Sequence, residues 1–78
     1  MRRAPLEDFL ITFADAAAAL DVPRSEIACL PISYRIDSGG KEAGWASEIA
    51  VALRMRVGIA TSRMHLYLLE RHRAPVRS

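Results

Sequence analysis

Apolar side chains recur at steps of three and four residues along the first twenty positions of the chain. The residues of this stripe are Leu6, Phe9, Leu10, Phe13, Ala17 and Leu20. This spacing places them on one face of a helix, so we predict an amphipathic helix from Pro5 to Asp21. Pro5 suits a first helical turn. Pro23 is expected to end the helix, because residues before a proline are biased away from helical conformation.

The rest of the chain alternates between apolar and polar residues in three places, as half-buried strands do. The first predicted strand runs from Ile27 to Asp37 and becomes regular near Pro31, because proline cannot donate to a strand ladder. The clearest alternation, from Glu48 to Val57, predicts the second strand, with a helix as the alternative because alanine is frequent there. The third predicted strand covers Met64–Leu69 and ends near Arg71.

A hairpin loop is predicted between the first two of these strands. Asp37–Lys41 contains a Gly-Gly pair, and Gly39 or Gly40 is expected to take a positive φ there. The loop is expected to continue to Gly44. The predicted fold class is α+β, in the order α-β-β-β. An N-terminal amphipathic helix packs on a three-stranded antiparallel β-meander whose second strand is central.

The predicted core joins the apolar side of the helix to one face of this sheet. From the helix it takes Phe9, Leu10, Phe13 and Leu20, and from the strands Ile32, Tyr34, Ile36, Ile49, Val51, Leu53, Met55, Val57, Met64, Leu66 and Leu68. Both edges of the sheet are expected to stay open, and open edges recruit further strands.

Size and composition predict one small α+β domain over residues 1–78, with basic flexible ends at about 1–4 and 72–78. A core built from 78 residues is marginal on its own. The single cysteine, Cys29, excludes an internal disulfide, and no residues have metal-ligand spacing. Small domains without these supports are often stabilised by association. We therefore expect a protein partner, in a homo-oligomer or a hetero-complex.

The expected compartment is the cytoplasm. No stretch of the sequence approaches the roughly 20 apolar residues of a membrane-spanning helix, so no membrane association is expected. The basic start, Met1–Arg3, is followed at once by Glu7 and Asp8, which is unlike a signal peptide. A lone thiol agrees with a reducing environment.

Catalysis has no recognisable motif in the sequence. Ser38–Lys41 lacks the spacing of a phosphate-binding loop, and neither His65 nor His72 accompanies a nucleophile in a known pattern. Cys29 lies beside an apolar stretch, where a thiol is usually buried and inert. We therefore expect a non-enzymatic protein with no cofactor and no metal.

The outward face of the predicted sheet is the most informative surface. It would present Ser33, Arg35, Ala50, Ala52, Arg54, Arg56, His65, Tyr67 and Leu69. Three interpretations stay open: a solvated face, a protein interface and a nucleic-acid platform. An interface would use Ala50, Ala52, Tyr67 and Leu69. A platform would use Arg35, Arg54, Arg56, His65 and Tyr67, although the formal net charge is only +2.

The leading functional hypothesis is a protein–protein interaction or assembly module, self-associating or a small subunit of a larger complex. The open edge of the third strand, with Tyr67 and Leu69, is its expected contact. Trp45 is a second candidate, either closing the core or anchoring the interface. The alternative is a small nucleic-acid-binding protein that uses an arginine-rich sheet face. A salt series separates the two, because phosphate contacts weaken steeply as salt rises.

Overall fold

The computed structural model describes residues 8–73, and the structural statements below concern that part of the chain. Its elements, in chain order, are β1 (Leu10–Thr12), α1 (Phe13–Leu20), α2 (Arg24–Ala28), β2 (Ile36–Ser38), β3 (Lys41–Trp45), α3 (Ala46–Ala52) and α4 (Val57–His72). The α+β class with a three-stranded antiparallel sheet is confirmed. The predicted order is wrong, because a strand precedes the first helix and two helices follow the sheet.

α1 begins later than the apolar stripe predicts. Thr12 is its N-cap, and the Thr12 Oγ1 accepts a hydrogen bond from the Asp15 N–H at 3.1 Å, which satisfies a free helical donor. The preceding residues are extended as β1, so the helix is confirmed only from Phe13, and positions 5–7 lie outside the described residues. Its predicted end is confirmed, since α1 stops at Leu20.

The sheet has the order β1-β3-β2, with both pairings antiparallel. The predicted hairpin turn is confirmed, because Gly39 and Gly40 have φ of 61° and 80°. The strand after it begins at once with Lys41, where a loop to Gly44 was predicted. A Cβ at Gly44 would lie 3.3 Å from the Tyr34 carbonyl oxygen, so the glycine lets the chain before β2 pass close to β3.

The second and third predicted strands are helices. Glu48–Val57 contains most of α3 and the turn after it, and Met64–Leu69 lies inside α4. In α3 the neighbours Ile49 and Ala50 are both buried, while Val51 is 61% exposed. A strand buried on one face cannot bury two successive residues in this way. The helix considered as the alternative for the second segment is therefore correct, and the expected edge at the third strand does not exist.

The first predicted strand is also mostly wrong. Its beginning, Ile27, belongs to α2, and only Ile36–Ser38 forms a strand. Ile27 is fully buried because α2 packs against α1. The stretch between α2 and β2 has no regular structure.

The core lies between the helices and one face of the sheet. Five predicted core residues are buried: Phe13, Leu20, Ile32, Ile49 and Met64. Four more are partly buried against them: Phe9, Leu53, Met55 and Leu68. Five others are exposed instead: Leu10, Tyr34, Val51, Val57 and Leu66. Among residues 8–73, no helix has both the length and the apolar character that crossing a membrane requires.

Candidate functional site

α1 and α2 form a helix-turn-helix unit, defined here as the first unit, Phe13–Ala28. Only three residues join the two helices, and the first of these, Asp21, has a left-handed backbone with φ 61° and ψ 47°. The N–H groups of Asp21 and Val22 both donate to the Ala17 carbonyl oxygen. This cap closes α1 and turns the chain, so that α2 starts at Arg24 and packs across α1.

Small side chains allow the two helices of the first unit to approach closely. Ala16 and Ala17 on α1 are buried, and the fully buried Ile27 is the only buried residue of α2. Leu20 and Leu30 add further buried apolar surface. The alanine run of the sequence is therefore a packing surface, which leaves the other side of α2 open to solvent.

The open side of α2 lies beside the β2–β3 hairpin. Arg24, Ser25 and Glu26 are exposed, and the Arg24 Nη2 lies 3.8 Å from the Glu42 Oε1 on β3. At the hairpin tip, no described atom lies within 4 Å of a Cβ built on Gly39 or Gly40. We call these exposed residues the helix–hairpin surface: Arg24, Ser25, Glu26, Gly39, Gly40 and Lys41. It is polar throughout.

A cleft of about 610 Å³ adjoins the helix–hairpin surface. Its lining comes from α1, α2, α4 and the hairpin: Thr12, Ala14, Asp15, Arg24, Gly40, Lys41, Glu42, Tyr67 and Arg71. Two of its cations are paired, Arg24 with Glu42 and Arg71 with Asp15. Lys41 forms no ion pair among residues 8–73, so it contributes a positive charge without a described counter-ion.

α3 and α4 repeat the helix-turn-helix arrangement, and we call Ala46–His72 the second unit. Arg54, in the turn, has φ 62°, and the Met55 N–H donates to the Ala50 carbonyl oxygen at 2.8 Å. The left-handed residue again follows a buried alanine by four positions and precedes another buried residue, Ala60, by six. In the first unit the same spacing joins Ala17, Asp21 and Ile27.

The exposed side of α4 differs in chemistry from that of α2. Three large apolar side chains are more than half exposed there, namely Ile59, Leu66 and Leu69. Arg63 and Glu70 are exposed among them. This side of α4 therefore presents an apolar surface in which Arg63 and Glu70 carry opposite charges.

The residues predicted to form a protein interface do not share one face. Ala50 is fully buried and Ala52 is half-buried in α3. Trp45 ends β3 and stacks on Tyr34 with ring centroids 5.9 Å apart, and it is 36% exposed. Tyr67 is half-buried, with the Arg71 guanidinium 5.6 Å from its ring centroid. Leu69 alone is strongly exposed.

The predicted nucleic-acid platform is not formed, because its residues lie in irregular segments and α4 instead of on a sheet. The Arg35 Nη2 donates to the Leu30 carbonyl oxygen at 2.8 Å, and the Arg35 guanidinium lies over the buried Phe13 ring. Arg54 and Arg56 are exposed in the turn before α4. His65 stacks on Phe9 at 4.0 Å, which orients its ring toward the core.

The Glu48 carboxylate on α3 accepts hydrogen bonds from the segment that precedes the β2–β3 hairpin. The Glu48 Oε2 accepts hydrogen bonds from the Ser33 N–H at 2.6 Å and the Ser33 hydroxyl at 2.7 Å. The Tyr34 N–H donates to the other carboxylate oxygen at 3.4 Å. The Ser33 hydroxyl, followed by the Ser33 N–H, lowers the pKa of Glu48 below its ordinary value of 4.5, because these donors favour the charged carboxylate.

In the variant Glu48→Gln, the free energy of unfolding is expected to fall less steeply than in wild type as the pH is lowered. The folded-state pKa of Glu48 lies below the unfolded value, so its contribution is present above about pH 4.5 and is lost as pH falls through the folded pKa. Urea unfolding between pH 6 and pH 3 measures this. Glu26→Gln is the matched control, since Glu26 makes no side-chain hydrogen bond within the described residues. Identical acid slopes in wild type and Glu48→Gln would contradict the assignment.

Cys29 is exposed, so its predicted burial is wrong. The short helix α2 ends one residue earlier and turns the Cys29 side chain outward, which sequence proximity to apolar residues did not indicate.

In the described part of the chain, no three His, Cys, Asp or Glu side chains cluster closely enough to hold a metal ion. His72 ends α4, and the predicted basic ends otherwise lie largely outside the described residues.

Comparison of the chain with models of protein families, with curated proteins and with solved structures gives no significant match in any of the three. The features that bear on function are therefore the geometry of the two helix-turn-helix units and the chemistry of their exposed sides.

Proposed function

We propose that the chain is a non-enzymatic DNA-binding domain that contacts the duplex through its helix–hairpin surface. This takes up the second of the two hypotheses from the sequence and moves it to a different surface. The observation that carries it is the first helix-turn-helix unit, whose second helix has an exposed polar side next to a free hairpin tip. DNA-binding helix-turn-helix units place their second helix in the major groove.

The shape of the helix–hairpin surface supports contact with a groove and the adjoining backbone. α2 is short and exposes the successive polar residues Arg24, Ser25 and Glu26, and the major groove is wide enough to admit a helix. The hairpin lies beside the first turn of α2, where Arg24 and Glu42 approach each other. With α2 in the groove, the Gly39–Gly40 tip and Lys41 reach the neighbouring phosphates, because glycines at the tip leave no side chain in the way.

The chemistry of α2 also suits DNA better than that of α4. Arg24 supplies planar donors for guanine or for phosphate, and Ser25 adds a hydroxyl. On α4 the exposed side is dominated by Ile59, Leu66 and Leu69, which have no hydrogen-bonding groups for base edges. The two units thus share a left-handed turn residue but differ in the partner that their exposed sides fit.

Electrostatics predict weak, salt-sensitive binding. The formal net charge is only +2, the exposed Glu26 belongs to the proposed surface, and the Glu42 carboxylate lies 3.8 Å from the Arg24 guanidinium. Binding a phosphate requires Arg24 to exchange its pairing with Glu42, which lowers the net gain. We therefore expect the affinity to fall as salt rises, with a slope of about −0.9 for each phosphate contact.

Fluorescence polarisation with a labelled mixed-sequence duplex, between roughly 50 and 200 mM salt, tests the proposal. Arg24→Ala and Lys41→Ala are expected to weaken binding and to reduce the salt slope by about 0.9 for each phosphate contact removed. Arg56→Ala is the matched control, because Arg56 is an exposed arginine of the second unit. No binding at the lowest salt contradicts the proposal. Loss of binding in Arg56→Ala with none in Arg24→Ala assigns the contact to the second unit instead.

A further inference from the structure

We propose that a second copy of this chain docks antiparallel on α4, forming a two-fold dimer. The contact surface, called here the α4 stripe, consists of Ile59, Arg63, Leu66, Leu69 and Glu70. This inference does not depend on DNA binding, since the α4 stripe and the helix–hairpin surface share no residue. The sequence predicted assembly through the edge of a third strand, and the present proposal assigns assembly to the α4 stripe instead.

The apolar part of the α4 stripe is unusually exposed for large side chains. Leu66 and Leu69 are each 56% exposed, and Ile59 is 51% exposed. Met64, on the opposite side of the helix, is fully buried in the core. Clustered apolar exposure on one side of a helix is characteristic of an interaction surface, whereas single exposed leucines are ordinary.

A shallow groove runs beside the α4 stripe and has room for a side chain from a second copy. Its volume is about 220 Å³, and its lining comes from α1 and α4: Ala18, Ala19, Arg63, Leu66, Tyr67 and Glu70. Ala18 and Ala19 have short side chains, so the wall of the groove on the α1 side does not project far. A leucine from a second copy fits this depression, with the two charged residues at its rim.

The charges of the α4 stripe specify the orientation. Arg63 and Glu70 are two helical turns apart and flank Leu66, and neither forms an ion pair among residues 8–73. A two-fold interface sets residue i against j of the second copy, and j against i. If the α4 helices run antiparallel about an axis near Leu66, each Arg63 faces Glu70 of the other copy. A parallel arrangement instead sets each Arg63 beside Arg63 of the other copy and each Glu70 beside Glu70, so it opposes like charges.

Packing of the two Leu66 side chains near the axis supplies the apolar centre of this interface, with Leu69 beside it. The two Arg63–Glu70 pairs lie at the rim. Exposed ion pairs contribute little to affinity by themselves, but they select one orientation and one partner. The chain itself is that partner, because the same stripe carries both members of each pair.

A charge-swap series on the full chain tests the dimer, with sedimentation equilibrium over a concentration series as the measurement. Wild type is expected to associate reversibly to a dimer. Glu70→Arg and Arg63→Glu are each expected to weaken association roughly tenfold or more, because two attractive pairs are replaced by two repulsive ones. The double variant R63E/E70R is expected to restore it. Lys41→Glu, a charge reversal on the hairpin, is the control and is expected to leave association unchanged.

Mixing the two single variants gives a second, independent readout. Each variant alone opposes like charges, but a dimer containing one of each has two attractive pairs, so the mixture is expected to associate more strongly than either component. Circular dichroism verifies folding, which both exposed positions are expected to tolerate. A wild type that stays monomeric up to millimolar concentration overturns the proposal. So does an association that neither single variant weakens, or one that the double variant and the mixture fail to restore.

Discussion

Replacing Phe13 with alanine is expected to lower the free energy of unfolding by about 3–5 kcal/mol, as for other buried aromatic residues. Phe13 is fully buried and is the first residue of α1. A Cβ built on Gly44 in the central strand would lie 3.5 Å from the Phe13 ring, and the Arg35 guanidinium covers the ring at 5.4 Å. Truncation leaves a cavity where helix, sheet and the irregular segment meet.

Urea denaturation followed by circular dichroism measures this loss. Leu10→Ala is the matched control, because Leu10 lies three residues away in β1 but is 40% exposed, and its truncation creates no enclosed cavity. We expect the control to lose much less stability than Phe13→Ala. A denaturation midpoint close to wild type in Phe13→Ala would show that Phe13 is not part of the core.

Replacing Leu66 with proline is expected to cost about 3 kcal/mol or more, because proline in a helix interior removes one hydrogen bond and clashes with the preceding turn. Leu66 lies in the middle of α4 and is 56% exposed, so the cost comes from the backbone and hardly from side-chain burial. On an edge strand, which the sequence predicted here, proline is tolerated when its nitrogen faces solvent.

Leu66→Ala isolates the backbone effect. Alanine is a strong helix former and removes the same exposed side chain, so at protein concentrations where the chain is monomeric we expect its stability to stay near that of wild type. The helical circular dichroism signal and the thermal midpoint are the measurements. Equal stability of the proline and alanine variants would be incompatible with a helix through Leu66.

Features that depend on neighbouring residues were predictable. The Gly39–Gly40 turn follows from backbone freedom at two adjacent glycines, and both have a positive φ. The end of α1 before Pro23 follows from the steric restriction that proline places on the preceding residue. Phe13 and Ile49 were predicted core residues simply because they are large and apolar, and both are fully buried.

The strand predictions failed because alternation over a short segment does not distinguish a strand from a helix with one buried side. In α4, Met64 is buried and Leu68 packs against the core, four residues apart, while Leu66 between them is exposed. A pattern of apolar residues at every second position looks the same whether or not the middle one is buried. Only packing against α1 and α3 decides which side of the segment faces inward.

The candidate site was missed for a related reason. Asp21 and Arg54 adopt left-handed backbones, a conformation that the sequence signals clearly only when glycine is present. The repeated spacing of Ala17, Asp21 and Ile27 with Ala50, Arg54 and Ala60 was the available signal. Its first and last members are small or apolar residues that are common in this sequence, and its middle member is a charge of either sign, so the spacing does not stand out before the two turns are seen.

The sequence by itself determined the hairpin turn, the end of the first helix and several core residues, because these depend on local backbone sterics or on side-chain polarity. Only the tertiary structure decided that α3 and α4 are helices, that α2 exposes a polar side next to the hairpin, and that Leu66 and Leu69 face solvent. Those outcomes depend on which distant segments exclude water from a residue. The apolar pattern shows which side chains favour burial, but the packing of the whole chain selects which of them are buried.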